Sequence, residues 1–183
     1  MRGRLKWAVG VAVLAAAAAV GTVAVAGGGR DIDENLTGFE ENPSVSTTGN
    51  GSFEARVDRR NEEISYRLEY ADLEGEVTQA HIHFSQRAVN GGISAFLCTN
   101  IGGGTATTPA CPGPNDGTVE GTLTAADVVG PEGQGIEPGA FGELVDAIKA
   151  GVTYANVHST KWPAGEIRAQ LEDDDRGGDR DDD

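Results

Sequence analysis

The residues of this chain that could do chemistry are few and grouped. All three histidines fall in two short segments, A-H-I-H-F from Ala80 and Y-A-N-V-H from Tyr154. Both segments alternate as strands do, with one apolar face. Ala80, Ile82 and Phe84 share one face of the first, which leaves His81 and His83 together on the other. Thr153, Ala155 and Val157 share one face of the second, so Tyr154, Asn156 and His158 point away from it. Histidines two apart on a strand project to the same side and can chelate together. With His158 they would form a three-imidazole set for zinc or copper, and Glu166 is the carboxylate expected beside them. The competing reading has no cofactor: the histidines only hydrogen-bond backbone or carboxylate groups, and Glu166 pairs with Arg168 or a histidine.

Catalytic motifs are missing. Ser159 and Thr160 follow His158 directly, but sequence neighbours do not make a triad, and no G-x-S-x-G elbow occurs. Three histidines are also too few for the paired copper and zinc sites of a copper-zinc superoxide dismutase. The chain is read as a non-enzyme.

The two cysteines, Cys98 and Cys111, bracket a polar loop rich in glycine, threonine and proline. Their spacing fits no zinc knuckle, and a free thiol outside the cell would tend to oxidise. A disulfide is expected, given that the chain begins with an export signal. That signal opens on the basic stretch M-R-G-R-L-K and runs uncharged from Trp7 to Ala26, ending in the small-x-small site A-V-A. Residues 1–26 are read as a signal peptide or an uncleaved anchor, the only route to a membrane. Residues 27–35 are read as a linker, residues 36–171 as the folded domain, and residues 172–183 as a disordered acidic tail. Asn35-Leu36-Thr37 forms a glycosylation sequon.

The net charge is −15, and residues 1–30 carry four basic residues and no acid, so the remainder is more acidic still. Nucleic acid is excluded as a partner, because phosphate binding needs a basic face.

The elements that must hold the histidines read as strands. Phe53, Ala55 and Val57 alternate, as do Ile64, Tyr66, Leu68 and Tyr70, and the polar turn at residues 59–62 joins them into a hairpin. A short strand follows the Asn90-Gly91-Gly92 turn, and another covers residues 119–124. One helix is expected: Pro138 opens it, Phe141, Leu144, Val145 and Ile148 line one face, and Gly151 caps it. The last two strands can be set in register. Pairs Asn156/Arg168 and Tyr154/Gln170 then share one face, and Val157/Ile167, Ala155/Ala169 and Thr153/Leu171 the other, with His158 opposite Glu166. The whole reads as all-β, an antiparallel sandwich or barrel with one short helix.

Several of these stretches resemble the CHRD (chordin) domain. They are L-T-G-F-E-E-N-P from Leu36, I-S-Y-R-L-E-Y-A-D-L from Ile64, V-T-Q-A-H-I-H-F from Val77, G-T-L-T-A-A-D-V from Gly121 and the run from Ala150 to Leu171. The resemblance implies a β-rich extracellular module with no established catalytic activity, so no catalytic residue is carried over. Chordin's antagonism of growth factors is not carried over either, because this chain lacks its cysteine-rich repeats. The expected function is an exported, non-catalytic binding or structural module for an extracellular protein or small ligand. The alternative is a protein that holds one zinc or copper ion through its histidines.

Overall fold

A computed structural model describes residues 30–172. Residues 1–26, read as a signal segment or anchor, and residues 173–183 of the expected tail lie outside the described residues. Eight strands form one antiparallel sheet: β1 (Arg30–Thr37), β2 (Asn50–Asp58), β3 (Glu63–Ala71), β4 (Val77–Phe84), β5 (Gly92–Thr99), β6 (Gly117–Leu123), β7 (Thr153–Ser159) and β8 (Ile167–Leu171). Among the described residues a single α-helix, α1 (Phe141–Lys149), precedes β7.

The sheet order is β5-β4-β7-β8-β1-β2-β3-β6. It curls until its two edges nearly meet. The segment after β6 fills the seam: Val129 N–H donates to Ser94 O at 2.8 Å and Val128 bridges Ala95. The Tyr66 hydroxyl reaches Leu97 O at 2.7 Å from the other side. Closure leaves little unpaired edge, which protects a β protein from strand-to-strand aggregation. The expected sandwich or barrel is therefore a nearly closed barrel.

Alternation decides what lies inside. Phe53, Ile64, Leu68, Ala80, Ile82, Leu97, Ala155, Val157, Ile167 and Leu171 are all buried in one continuous apolar core. Phe141, Leu144, Val145 and Ile148 of α1 add to it, as their spacing predicts. The helix lies at the barrel end where β2 turns into β3, and Asp146 there pairs with Arg59. Gly151 takes a φ of 69°, the left-handed conformation expected of a residue that ends a helix.

The β7–β8 register is the predicted one, from Thr153↔Leu171 to Val157↔Ile167. Cys98 and Cys111 form a disulfide with Cα atoms 4.9 Å apart. It closes the loop between β5 and β6, and Asn100 stitches the same loop by donating to Val77 O and Cys111 O.

Two boundaries differ from expectation. The linker assigned to residues 27–35 holds most of β1, which pairs along its length with β2. Ile32 and Leu36 of β1 are core residues, but Glu34 stands between them where a third apolar residue would have marked the strand. At the other end Glu172 belongs to the fold and not to the tail. Its N–H donates to Glu34, and its carboxylate meets Arg87 at 3.0 Å.

Two measurements probe this packing. Ile148→Ala is expected to cost ~2–4 kcal/mol in denaturant unfolding, because the side chain is fully enclosed and the helix cannot collapse around the loss. Replacing both cysteines by alanine should cost on the order of 3 kcal/mol by the same assay, from the loop entropy returned to the unfolded chain.

Candidate metal centre

On β4, β5, β7 and β8 the outer face is buried as well as the inner one, and its buried residues are polar or aromatic. His81, His83, Asn156, Arg168 and Gln170 all lie there, each at most 7% exposed. Loops lie over this face: residues 85–91 between β4 and β5, residues 38–49 between β1 and β2, and the turn before β8. The β4–β7 pairing sets His81 opposite Asn156 and His83 opposite Tyr154.

The three histidines converge as expected. One ring nitrogen from each of His81, His83 and His158 lies within 4.8 Å of the others. The closest approach is His81 Nδ1 to His158 Nε2, 3.1 Å. Two nitrogens held by one tetrahedral zinc are about 3.4 Å apart, so the His81–His158 pair is already near ligand spacing, while pairs as wide as 4.8 Å would have to close to take an ion. His158 is the member that keeps part of its surface exposed.

The carbonyls around the cluster fix its tautomers. His83 Nδ1 lies 3.0 Å from Gly91 O, and His158 Nδ1 lies 3.1 Å from Pro163 O. A carbonyl only accepts, so each Nδ1 carries the hydrogen and each Nε2 presents a lone pair. Backbone carbonyls hold metal-ligating histidines in this way. The Nε2 atoms of His81 and His83 are buried with no hydrogen-bond partner among the described residues.

Electrostatics keep the rings neutral. Burial, then the neighbouring His158 and His83, push His81 down to about 2. Burial chiefly lowers His83 to about 4, and burial also lowers His158. Neutral imidazole is the form that binds a metal.

Aromatic packing sets the ring planes. His83 stacks on Tyr154, with centroids 4.7 Å apart and planes at 2°. The Arg168 guanidinium lies 3.4 Å from the centre of the Tyr154 ring. His81 meets Phe96 edge-on at 4.6 Å.

Glu166 is fully buried, but its carboxylate is spent elsewhere. It accepts from Thr47 Oγ1 and from Glu74 N–H, both at 2.7 Å, and from the Ser159 hydroxyl. The chain bends at Glu166, so it leaves the ladder that would have set it beside His158. Ser159, next to His158, points to the opposite face of β7 and serves Glu166.

The acid near the cluster is Glu41, which the sequence did not single out. It is 7% exposed, and burial raises its pKa to about 7, with Arg168 and an Asn156 hydrogen bond pulling the other way. The Glu41 carboxylate occupies the space a Cβ at position 165 would take, and Gly165 also has a φ of 128°, a conformation that favours glycine. Loop carboxylates carry no periodic signal, and E-E-N-P offers nothing to choose Glu41 over Glu40. Asn156 was legible, since alternation already puts it on the His158 face.

The family model for the CHRD domain matches residues 32–171. The chain belongs to the CHRD domain family, and the match covers nearly all the described barrel. No curated protein and no solved structure matches the chain. Among the described residues no helix is long and apolar enough to cross a membrane.

The titrations have a stability consequence. A histidine pKa lowered by folding contributes stability that is complete above its unfolded value near 6.5 and is lost as pH falls toward the folded value. Glu41 has the opposite sign between about 4.5 and 7, but one raised acid is outweighed by three lowered histidines. The metal-free protein should therefore lose stability from pH 7 to pH 4.5, with His83 alone worth about 3 kcal/mol over its full range. Denaturant midpoints in the presence of chelator will show this, and His83→Gln should flatten the curve.

Proposed function

We propose that this protein is an exported, non-catalytic CHRD module that binds one transition-metal ion, zinc or copper, through His81, His83 and His158. The supporting observation is the convergence of three neutral imidazoles, two of them held by backbone carbonyls with their Nε2 lone pairs turned away from those carbonyls. Buried polar side-chain atoms usually have a hydrogen-bond partner. Here two of the three leave one nitrogen unpaired inside the protein.

Export is supported by the signal-like first segment, the disulfide and the family.

Isothermal titration of tag-free, chelator-stripped protein tests the reading. Zinc(II) or copper(II) is expected to bind at one equivalent and to raise the melting temperature. His81→Ala and His158→Ala should each abolish uptake. Binding should persist below the usual histidine range of pH ~6.5, because burial already disfavours the competing protons. Absence of stoichiometric uptake by the wild type would overturn the proposal.

A further inference from the structure

Three imidazoles leave a tetrahedral ion one donor short, and Asn156 stands where the fourth would be. It lies directly across from His81 in the β4–β7 pairing and two residues before His158, on the same face. Only 2% of it is exposed. Its Oδ1 is 3.1 Å from His158 Nε2, the same nitrogen that is 3.1 Å from His81 Nδ1. The Asn156 amide also acts on His83.

The contact between Asn156 and His158 is chemically odd. His158 Nδ1 faces the Pro163 carbonyl and holds the ring hydrogen, so its Nε2 carries a lone pair. The amide oxygen facing that nitrogen carries lone pairs too. Two acceptors at hydrogen-bond distance repel one another unless a positive centre lies near both; His81 Nδ1–H donates to that nitrogen in the ion-free site, and a metal ion would answer both acceptors at once. The nitrogen end of the amide is turned toward the Glu41 carboxylate, whose proton affinity it lowers. Glu41 is held in turn by the buried Arg168 charge and by the space that Gly165 leaves.

We infer that Asn156 is the fourth donor of the site, its carboxamide oxygen completing a three-nitrogen, one-oxygen set, with Glu41 as the positioning residue that aims it. This rests on the three-histidine reading of the site. It also narrows the metal. An amide oxygen is a hard donor, which suits zinc(II) or copper(II) and contributes little to copper(I), whose preference is for soft sulfur. Arg168 beside the site answers the Glu41 charge, so the donor set is neutral and the ion keeps its full charge.

The test uses the full chain, tag-free and chelator-stripped, with zinc(II) for affinity and cobalt(II) as an absorbing probe of geometry. Wild type should give one equivalent and the intense visible bands of four-coordinate cobalt. Asn156→Asp places an anionic oxygen at the same point and should tighten zinc about tenfold while keeping the cobalt bands. Asn156→Leu should weaken zinc by about 10–100-fold and change the cobalt spectrum. Glu41→Gln should weaken zinc by about tenfold or less, and Asn156→Asp combined with it should restore affinity, because a carboxylate has no wrong way round. If Asn156→Leu fails to fold, the Asp variant decides alone. Zinc affinity and cobalt bands unchanged in the Asp and Leu variants would remove Asn156 from the site and leave the three histidines standing. Weaker zinc binding by Asn156→Asp would mean that the amide nitrogen faces His158, which also overturns the inference. Failure of the wild type to bind any ion would remove the function itself.

Discussion

Arg168 is 1% exposed, and a charge buried that deeply has to be answered inside the protein. The answer comes from the loop between β4 and β5. The guanidinium donates to Val89 O at 3.1 Å and to Gln86 O and Asn90 Oδ1 at 3.4 Å. The Tyr154 ring lies 3.4 Å from the guanidinium carbon. Those bonds hold the loop down over the outer face of the sheet. The same loop supplies the Gly91 carbonyl that orients His83, and Gly91 N–H in turn meets the Tyr154 hydroxyl at 3.3 Å. One buried cation thus fixes the loop, the aromatic ring and one histidine together.

The barrel consequently has two interiors of different chemistry. The inner face of the sheet is apolar, and area removed from water stabilises it. The outer face of β4, β7 and β8 is polar, and its groups are held by specific hydrogen bonds that fix direction. Strands shared by both interiors carry the two sets of side chains on alternate residues. Ile82 sits in the first, and His81 and His83 sit in the second. The apolar set holds the strands rigid, so the imidazoles two residues apart keep a set separation.

Much of this is written in local patterns. Alternation put His81 and His83 on one side, and it placed Asn156 with His158. The apolar and polar pairs of β7 and β8 admit a single register. What lies beyond local pattern was hidden for identifiable reasons. Nothing local states that β4 neighbours β7, because that pairing joins residues far apart in the chain. Nothing in an alternating strand says whether its polar face meets water or a loop. Glu34 masks β1 by standing between Ile32 and Leu36. Glu166 looked correct until the bend before β8 turned it toward Ser159. The family resemblance supplied the fold as a unit, but it assigned no role to any of these side chains.

Gly165 and Glu41 come from distant loops, yet they occupy one volume. A Cβ at 165 would displace the carboxylate at 41 from its present position, and the φ of 128° at 165 itself disfavours any residue but glycine. A relative that fills position 165 should therefore have its acid driven out of the cluster. A histidine trio in such a relative would be left with an unaimed amide. The history of this steric bargain would then be readable in family sequences as correlated change between the F-E-E-N-P loop and the W-P-A-G-E turn.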